Sequence, residues 1–326
     1  MPEHATLDRD LREATLDDVG IVADLETLRD PSDPRDPEML RFWWTRGAAA
    51  EVVMRRVAVR DGAAVAFVGA GHESWDGSPK RFGWIRPALH PDLWTDELYL
   101  HLVGSGEEWL QQEGAAIAVT RTRGDRKREL DALNHAGYAE VRQQWIWELD
   151  LIAGRGRLLD TAQRCRARMR DEAITLLTVS EDRDPAKLNQ LHELFAESER
   201  DIPTTMPWRT MQFGKWKRFW FDNPGTRPER FWIAREGPAI VGLSVLEFPP
   251  TRGIPWTAFT GTSRSVRGRG IARALKYETI VQAIELGSDR VRTANDSANA
   301  PILHLNQEMG YQMVTPMIEL HHELRA

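Results

Sequence analysis

The strongest constraint on the fold is a repeated order of elements. Each half of the sequence has short apolar strands separated by helical segments, and each ends as strand, helix, Gly-Tyr pair and final strand. The pairs are Gly137-Tyr138 and Gly310-Tyr311. A repeat of element order without close sequence repetition indicates duplication of one α/β fold. We therefore predict α+β mixed sheets in a first domain (residues 1–151), a linker helix (152–173) and a second domain (174–326).

Composition narrows the function classes. The chain has 326 residues, enough for two cores, and a formal net charge of -6, which argues against general nucleic-acid binding. The single cysteine, Cys165, allows neither an internal disulfide nor a cysteine-based metal cage, and we predict no metal site. The sequence contains no apolar run of membrane-spanning length and no signal-peptide core at its N-terminus. We expect a cytoplasmic protein with no membrane partner.

The segment "RSVRGRGIARALK" (264–276) contains five basic residues, two glycines and no acid, between a predicted strand and a predicted helix. Gly268 and Gly270 allow positive φ and close approach of a ligand, and the helix N-terminus offers unpaired N–H groups. The basic side chains, Lys276 included, suit a phosphate or pyrophosphate. A Walker loop and a dinucleotide fingerprint are excluded, because neither glycine pattern is present. A basic turn without a ligand and an RG-type nucleic-acid tract remain as alternatives.

"TGTSRSVRGRGIARALK", followed by "RVRTANDSANAPILHLNQEMGY", resembles the cofactor-binding core of the GCN5-related N-acetyltransferases (GNAT). Their signature [QR]-x-x-G-x-[GA] is matched by Arg267, Gly270 and Ala272, and a later N-containing segment ending in G-[FY] by Asn299 through Tyr311. The resemblance covers residues 197–312 at motif level. It implies two tandem acyl-CoA N-acyltransferase (GNAT-like) domains that use acetyl-CoA as co-substrate. The acceptor is then an amine of a small metabolite, an antibiotic-like molecule or a peptide.

The resemblance also implies which residues bind the cofactor. Backbone amides of the loop wrap the pyrophosphate, the preceding strand pairs with the pantetheine arm, and a backbone N–H near Thr262 meets the oxyanion. Direct attack by the amine needs no covalent enzyme intermediate, so Cys165 is expected to be a structural thiol. The implied cofactor residues are Thr260, Thr262, Arg264, Arg267, Gly268, Arg269, Gly270, Ile271, Ala272, Arg273, Asn299 and Asn306.

Two positions depart from the family pattern. Asn306 stands where many members carry a Tyr that protonates the leaving thiolate; an amide is no acid at neutral pH, although it can hydrogen-bond the sulfur. The strand "WTAFTGT" also lacks the usual Glu base. Glu247, at the end of the preceding strand, is the candidate base, with a solvent-facing strand-end residue as the alternative. Asp201 and Trp208 are the candidate substrate residues; a turn residue before proline is the alternative for Asp201.

The first domain has no R-G-x-G sequence. Within its expected loop region, residues 87–110, the one G-x-G, Gly104 to Gly106, is followed by Glu107 and Glu108, which would repel phosphate, so we predict that this domain binds no acyl-CoA. The leading interpretation of the whole chain is an acetyl-CoA-dependent N-acetyltransferase. A non-catalytic acyl-CoA-binding or regulatory module is second, and nucleic-acid binding through the arginine-glycine stretch is third. The sequence indicates no oligomeric state.

Overall fold

The computed structural model describes residues 10–45, 52–73, 75, 80–205 and 210–324. The chain divides into two compact units. The first takes its described residues from Met1–Gln143, Thr205–Pro207 and Thr315–Ala326; the second takes them from Gln144–Thr204 and Trp208–Val314. These units differ from the predicted division at residues 151 and 174, because each unit includes a strand from the other half of the sequence.

The first unit is a sheet with helices on both faces. Its strands run in the order β1-β2-β3-β4-β5-β12, and β4 and β5 are the parallel neighbours. The strands are β1 (Leu11–Glu13), β2 (Val52–Arg60), β3 (Ala63–His72), β4 (Phe82–Leu89), β5 (Ile117–Arg123) and the later part of β12 (Gln312–Glu323). The helices are α1 (Val19–Arg29), α2 (Pro37–Thr45), α3 (Asp96–Gln112) and α4 (Lys127–His135).

Helix α2 follows the segment 30–37, which contains three prolines. The last of them, Pro37, is the first residue of the helix, where proline is tolerated because its missing N–H would be unpaired anyway. Asp36 caps this helix: its Oδ1 accepts hydrogen bonds from the amides of Glu38 (2.8 Å) and Met39 (3.0 Å).

The second unit repeats the plan. Its strands run in the order β6-β11-β10-β9-β8-β7, and β10 and β11 are the parallel neighbours. The strands are β6 (Ala139–Asp150, from Gln144 onwards in this unit), β7 (Ile174–Thr178), β8 (Phe231–Glu236), β9 (Ala239–Glu247), β10 (Trp256–Thr262) and β11 (Arg290–Asp296). The helices are α5 (Arg155–Asp171), α6 (Lys187–Glu199), α7 (Phe213–Phe221), α8 (Ile271–Glu285) and α9 (Ala300–Met309).

Helix α5 was predicted as a linker, and it is a packed element of the second unit. Leu158, Ala162 and Met169 lie on one side of it and are buried in the cores that also hold residues of α8. The arginines of α5 occupy its remaining surface, where they are exposed or half-buried. Because an apolar stripe fixes this helix to the sheet, it contributes burial energy rather than only covalent connection.

The last strand of each half of the sequence completes the sheet of the other unit. Residues 144–150 of β6 pair antiparallel with β11, and residues 317–323 of β12 pair antiparallel with β5. The repeat of elements was readable from the sequence, whereas the partner of a strand depends on contacts distant in sequence. No helix within the described ranges is long and apolar enough to cross a membrane.

Candidate functional site

Strands β10 and β11 separate soon after they begin. Their register pairs Trp256 with Arg292, whose N–H donates to the carbonyl of Pro255 at 2.9 Å. Further along, β10 pairs in register only with β9, and that register shifts between Thr257 and Phe259, which marks a bulge. The bulge bends β10 away from its parallel neighbour. The two strands therefore splay and leave a slot in the second unit's sheet.

The main-chain groups of Thr260 and Thr262 face this slot. The N–H of Ser263 donates to the carbonyl of Val241 on β9, at 2.9 Å. In an antiparallel ladder the N–H and C=O of one residue point to the same side, and the side alternates along the strand. Thr260 and Thr262 consequently present their main-chain groups on the side of β11, where the ladder has ended. An extended ligand arm laid along β10 would meet these groups.

The loop after β10 forms a backbone cradle. Gly268 and Gly270 have φ values of 80° and 83°, a region that suits glycine, and Gly270 is the N-cap of α8. The N–H of Ala274 makes the first intrahelical bond, to the carbonyl of Gly270 at 3.0 Å. The amides of residues 271–273 thus precede the helical ladder and point out of the helix end. A Cβ at position 270 would lie 3.2 Å from Nη1 of Arg168. The cradle needs glycine there.

The cradle and the segment around Asn299 lie at the same edge of the sheet. Both follow the carboxyl ends of parallel strands, β10 and β11, and such edges are where open α/β sheets bind ligands. Asn299 is half-buried and precedes α9; its carbonyl accepts from the N–H of Leu303 at 3.2 Å. The fold therefore brings together the two sequence motifs on which the resemblance rests.

Two arginines of the loop share one carboxylate. Arg264 and Arg267 both donate to Asp201, Arg267 through Nη2 at 2.5 Å. These hydrogen bonds lower the pKa of Asp201 to about 2, so it is ionised at neutral pH. Glu197 accepts the backbone N–H of Arg264 at 2.8 Å. Asp201, the candidate residue for holding a cationic substrate, lies against the predicted cofactor loop.

The other loop arginines are paired as well. Arg269 donates to Glu172 at 3.1 Å and to Glu236 at 3.0 Å, while Arg273 pairs with Glu308. Each of the four loop arginines therefore has a carboxylate partner, and the local positive charge is largely balanced. An anion in the cradle would depend mainly on the main-chain amides and the positive end of the helix dipole.

Asn306 is fully buried and belongs to a hydrogen-bonded chain of side chains. Its Oδ1 accepts from Nζ of Lys276 at 2.6 Å, and its Nδ2 donates to Oδ1 of Asn295 at 2.7 Å. Lys276 is 1% exposed, and burial lowers its pKa to about 7. Its Nζ lies 4.8 Å from the ring centroid of Tyr311. Its position in the basic segment had indicated a charge on the phosphate loop. Lys276 is instead an interior group.

Helical spacing gives a signal for the burial of Lys276. Residues three, four and seven positions later, Thr279, Ile280 and Ala283, are all 0% exposed. Side chains at these spacings share one face of a helix.

Glu247 lies beside the bulge of β10. It is the last residue of β9 and pairs in register with Trp256, and its Oε2 accepts from Nδ2 of Asn223 at 3.1 Å. Because side chains alternate along a strand, Glu247 shares a face with Val245 and Leu243, which pack in the core that includes residues of α6 and α7. The carboxylate therefore lies on the α6/α7 side of the sheet.

The remaining candidates add little chemistry. Trp208, predicted to contact substrate, lies outside the described residues. Cys165 is half-buried on α5, and burial raises the pKa of its thiol, which favours the unreactive protonated form. Within the described ranges, no three or more His, Cys, Asp or Glu side chains are grouped so as to hold a metal ion.

Comparisons with known proteins agree with this geometry. The chain resembles a GCN5-related N-acetyltransferase from Sphaerobacter thermophilus, with a TM-score of 0.66 and 22% identity over 97% of this chain and 96% of that one. It resembles a tandem GNAT protein from the clavulanic acid biosynthesis pathway, with a TM-score of 0.72 and 14% identity over 97% and 98%. It also resembles Saccharomyces cerevisiae N-myristoyltransferase with bound myristoyl-CoA, with a TM-score of 0.61 and 12% identity over 97% and 79%.

These likenesses define the class: the chain has the fold of a tandem GNAT protein. Residues 188–311 match the model of the acetyltransferase (GNAT) family. No protein of curated function is recognisably similar in sequence.

Proposed function

We infer that the second unit is an N-acyltransferase that moves an acetyl group from acetyl-CoA directly to an amine acceptor. One observation carries this inference: a glycine cradle at a helix N-terminus stands at the mouth of a slot between two splayed parallel strands. The first feature suits a diphosphate and the second an extended arm ending in a thioester. GNAT proteins are in general acyl-CoA-dependent N-acyltransferases, so family and geometry point the same way.

The cradle fits a coenzyme A diphosphate through its backbone. Positive φ at Gly268 and Gly270 turns the chain so that successive amides line a concavity that suits anions. The arginine side chains assist, although Asp201 and the other carboxylates hold them. Along the slot, Thr260 and Thr262 would hydrogen-bond the pantetheine amides. The residues assigned to coenzyme binding are Thr260, Thr262, Arg264, Arg267, Gly268, Arg269, Gly270, Ile271, Ala272, Arg273 and Asn299.

The acceptor amine is assigned to the α6/α7 side of the slot, next to Glu247. An amine is mostly protonated at neutral pH, so its attack requires a base, directly or through water. Glu247 lies one register pair from the bulge, and Asn223 orients its carboxylate. Acetyl-CoA supplies the activated carbonyl. Glu247 would accept the proton that the amine releases on forming the amide bond.

We assign the protonation of the leaving thiolate to Lys276, which acts together with Asn306. Asn306 occupies the family's usual acid position but has no acidic proton; it does hold a buried ammonium group at 2.6 Å. A pKa of about 7 for Lys276 suits proton transfer near neutral pH. Lys276 would give a proton from its ammonium group to the thiolate and become a neutral amine, while Asn306 would hold Nζ in position.

A non-catalytic acyl-CoA-binding module is the second candidate. The observation in its favour is the burial of Asn306, which is 0% exposed, together with the absence of the usual Tyr and strand Glu. The two candidates share coenzyme binding and differ in turnover.

Calorimetry with acetyl-CoA, followed by thiol release from acetyl-CoA with a panel of small and peptide amines, tests the proposal. We expect micromolar binding and amine-dependent thiol release. Gly270→Glu should abolish binding and leave the fold intact. Gly287→Glu is the matched control: Gly287 also has a φ of 83°, but open space lies around it at the far end of α8. Binding without release on any amine favours the module, and unchanged affinity in Gly270→Glu contradicts the cradle assignment.

A further inference from the structure

A row of charged residues crosses the sheet of the first unit. In register, Arg55 of β2 is opposite Gly69 of β3, and Gly69 is opposite Arg86 of β4. The last register pair of the parallel strands β4 and β5 is Ile85 with Thr120, so Arg121 of β5 is the neighbour of Arg86. Arg121 is also opposite Glu319 of β12. Residues in one row of a sheet point to the same face. The row thus places three guanidinium groups and one carboxylate on a single surface.

Two of these arginines have no carboxylate partner. Arg121 donates to Oε2 of Glu319 at 2.6 Å, and Glu319 is further engaged by Thr205 at 2.5 Å. Arg86 makes no hydrogen bond or ion pair within the described residues, and the guanidinium of Arg55 lies over the ring of Trp44 at 5.0 Å. The row therefore carries a net charge of two positive units.

Neighbouring arginines add to this positive charge, and one carboxylate opposes it. Desolvation lowers the pKa of Arg86; Glu26 opposes that change, while Arg35 and Arg121 add to it. The Arg86 residue is exposed to solvent, although neighbouring protein groups surround its guanidinium closely enough to desolvate it in part. Desolvation and the charge of Arg86 likewise lower the pKa of Arg55. The nearby carboxylate of Glu26, which Arg35 holds at 2.6 Å, offsets part of this positive charge.

Aromatic rings cover the glycine between the two arginines. Arg55 and Arg86 stand on strands on either side of Gly69, so their backbones are about 10 Å apart. Gly69 places no side chain between them. A Cβ there would lie 3.3 Å from Cζ of Phe67 and 3.4 Å from Cζ3 of Trp84. Phe67 and Trp84 thus lie over Gly69, and Arg55 and Arg86 flank this aromatic surface on the two neighbouring strands.

We propose that the arginine row formed by Arg55, Arg86 and Arg121 is a binding site for a small anion bearing a carboxylate or phosphate group. Guanidinium groups bind these planar or tetrahedral oxyanions through paired hydrogen bonds. A bound anion would relieve the mutual repulsion of Arg55 and Arg86. The aromatic side chains favour an organic anion over a bare inorganic ion.

This site differs from a coenzyme diphosphate cradle. Helix α3, which follows β4 as α8 follows β10, carries Asp96 and Glu97 in its first turn, and Thr95 caps the amide of Leu98 at 3.1 Å. Negative charge at a helix N-terminus disfavours a phosphate there. The arginine row lies instead on the sheet face that packs against α1. Phe67 and Ala88 are two positions from Gly69 and Arg86 and therefore point to the same face. Both belong to the core that includes residues of α1. The proposal is therefore independent of the function assigned to the second unit.

The test uses the full chain, titrated by calorimetry with inorganic phosphate in one arm and citrate in the other, in low-chloride buffer. Arg86→Gln removes one unpaired fork and should weaken binding of the preferred anion at least tenfold. Arg56→Gln is the matched control, because Arg56 is the next residue of β2 and points to the opposite face, where it contacts Ser105. The comparison isolates the row, since all three proteins keep the loop of the second unit.

Citrate binding supports a carboxylate ligand and phosphate binding a phosphate ligand. We expect Arg86→Gln to stay folded, because the side chain has no hydrogen bond to lose, although Glu26 loses the attraction of its charge. Arg86→Lys keeps the positive charge but lacks the paired N–H donors of a guanidinium group, and it should bind the anion several-fold more weakly. This variant replaces Arg86→Gln in the test if the glutamine variant does not fold. The proposal fails if the parent binds neither anion, if Arg86→Gln binds as tightly as the parent, or if Arg56→Gln weakens binding equally.

Discussion

Nζ of Lys276 lies 2.6 Å from Oδ1 of Asn306, and both side chains are inside the second unit. Burial lowers the pKa of Lys276 to about 7, whereas a lysine in an unfolded chain titrates near pH 10.4. Between these values the unfolded state binds more protons than the folded state. The contribution of this group therefore makes the protein more stable as pH rises from about 7 to about 10.4, and the full penalty of the buried cation is present below pH 7.

Lys276→Met should stabilise the protein most at low pH. Removing the cation relieves a penalty of about 4–5 kcal/mol below pH 7, offset by about 1–3 kcal/mol because Asn306 loses a partner. The gain over the parent protein should shrink toward pH 10. Urea unfolding at pH 6, 8 and 9.5 measures it, with Lys217→Met, an exposed position on α7, as the control. A difference between variant and parent that does not change with pH contradicts the assigned pKa.

Asp201→Asn should tighten coenzyme binding. The substitution releases Arg264 and Arg267, both of which donate to Asp201, and makes their charge available to the diphosphate. We expect the Kd for CoA to fall about three- to tenfold at low salt, with a smaller change at high salt because these exposed charges are screened. Calorimetry at two salt concentrations gives both values.

Asp289→Asn is the matched control for this change. It removes the same charge from an exposed carboxylate between α8 and β11, away from the loop. If both variants tighten binding equally, general charge rather than the Asp201 contact is responsible. Weaker binding in Asp201→Asn would instead assign Asp201 a direct role in holding the loop.

The sequence predicted the parts of the site that depend on local chain chemistry. Gly268 and Gly270 specify a turn with positive φ, and the strand before and the helix after them follow from apolar patterning. The order of elements around this loop led to the GNAT resemblance, and the fold is confirmed by the likeness to a tandem GNAT protein.

Contacts between distant parts of the chain could not be predicted in the same way. Asp201 meets Arg264 across 63 residues, so its pairing with the loop has no local signature. The exchange of last strands, in which residues 317–323 pair with β5, depends equally on long-range contacts. The arginine row is visible only once strand register aligns Arg55 with Arg86 across Gly69.

Glu247→Gln should slow acetyl transfer without disturbing the fold. Oε1 of the glutamine can still accept from Asn223, which now donates to Glu247 at 3.1 Å, but the amide cannot take a proton. We expect kcat/KM for the amine to fall by about 10²–10⁴ at neutral pH, with the Kd for acetyl-CoA unchanged. Glu285→Gln, an exposed position at the end of α8, should retain full activity. A loss below threefold in Glu247→Gln would remove this carboxylate from the mechanism.

Asn306→Asp tests the role assigned to Lys276 through the pH dependence of turnover. If the Lys276 ammonium group neutralises the leaving thiolate, kcat of the parent protein falls as pH rises past about 7, where the ammonium loses its proton. A carboxylate in place of the amide, 2.6 Å from Nζ, stabilises the ammonium and should move that limb to higher pH. Lys276→Met should lower kcat at least tenfold and change KM for acetyl-CoA less than twofold. A falling limb at the same pH in the parent and in Asn306→Asp would show that another group supplies the proton.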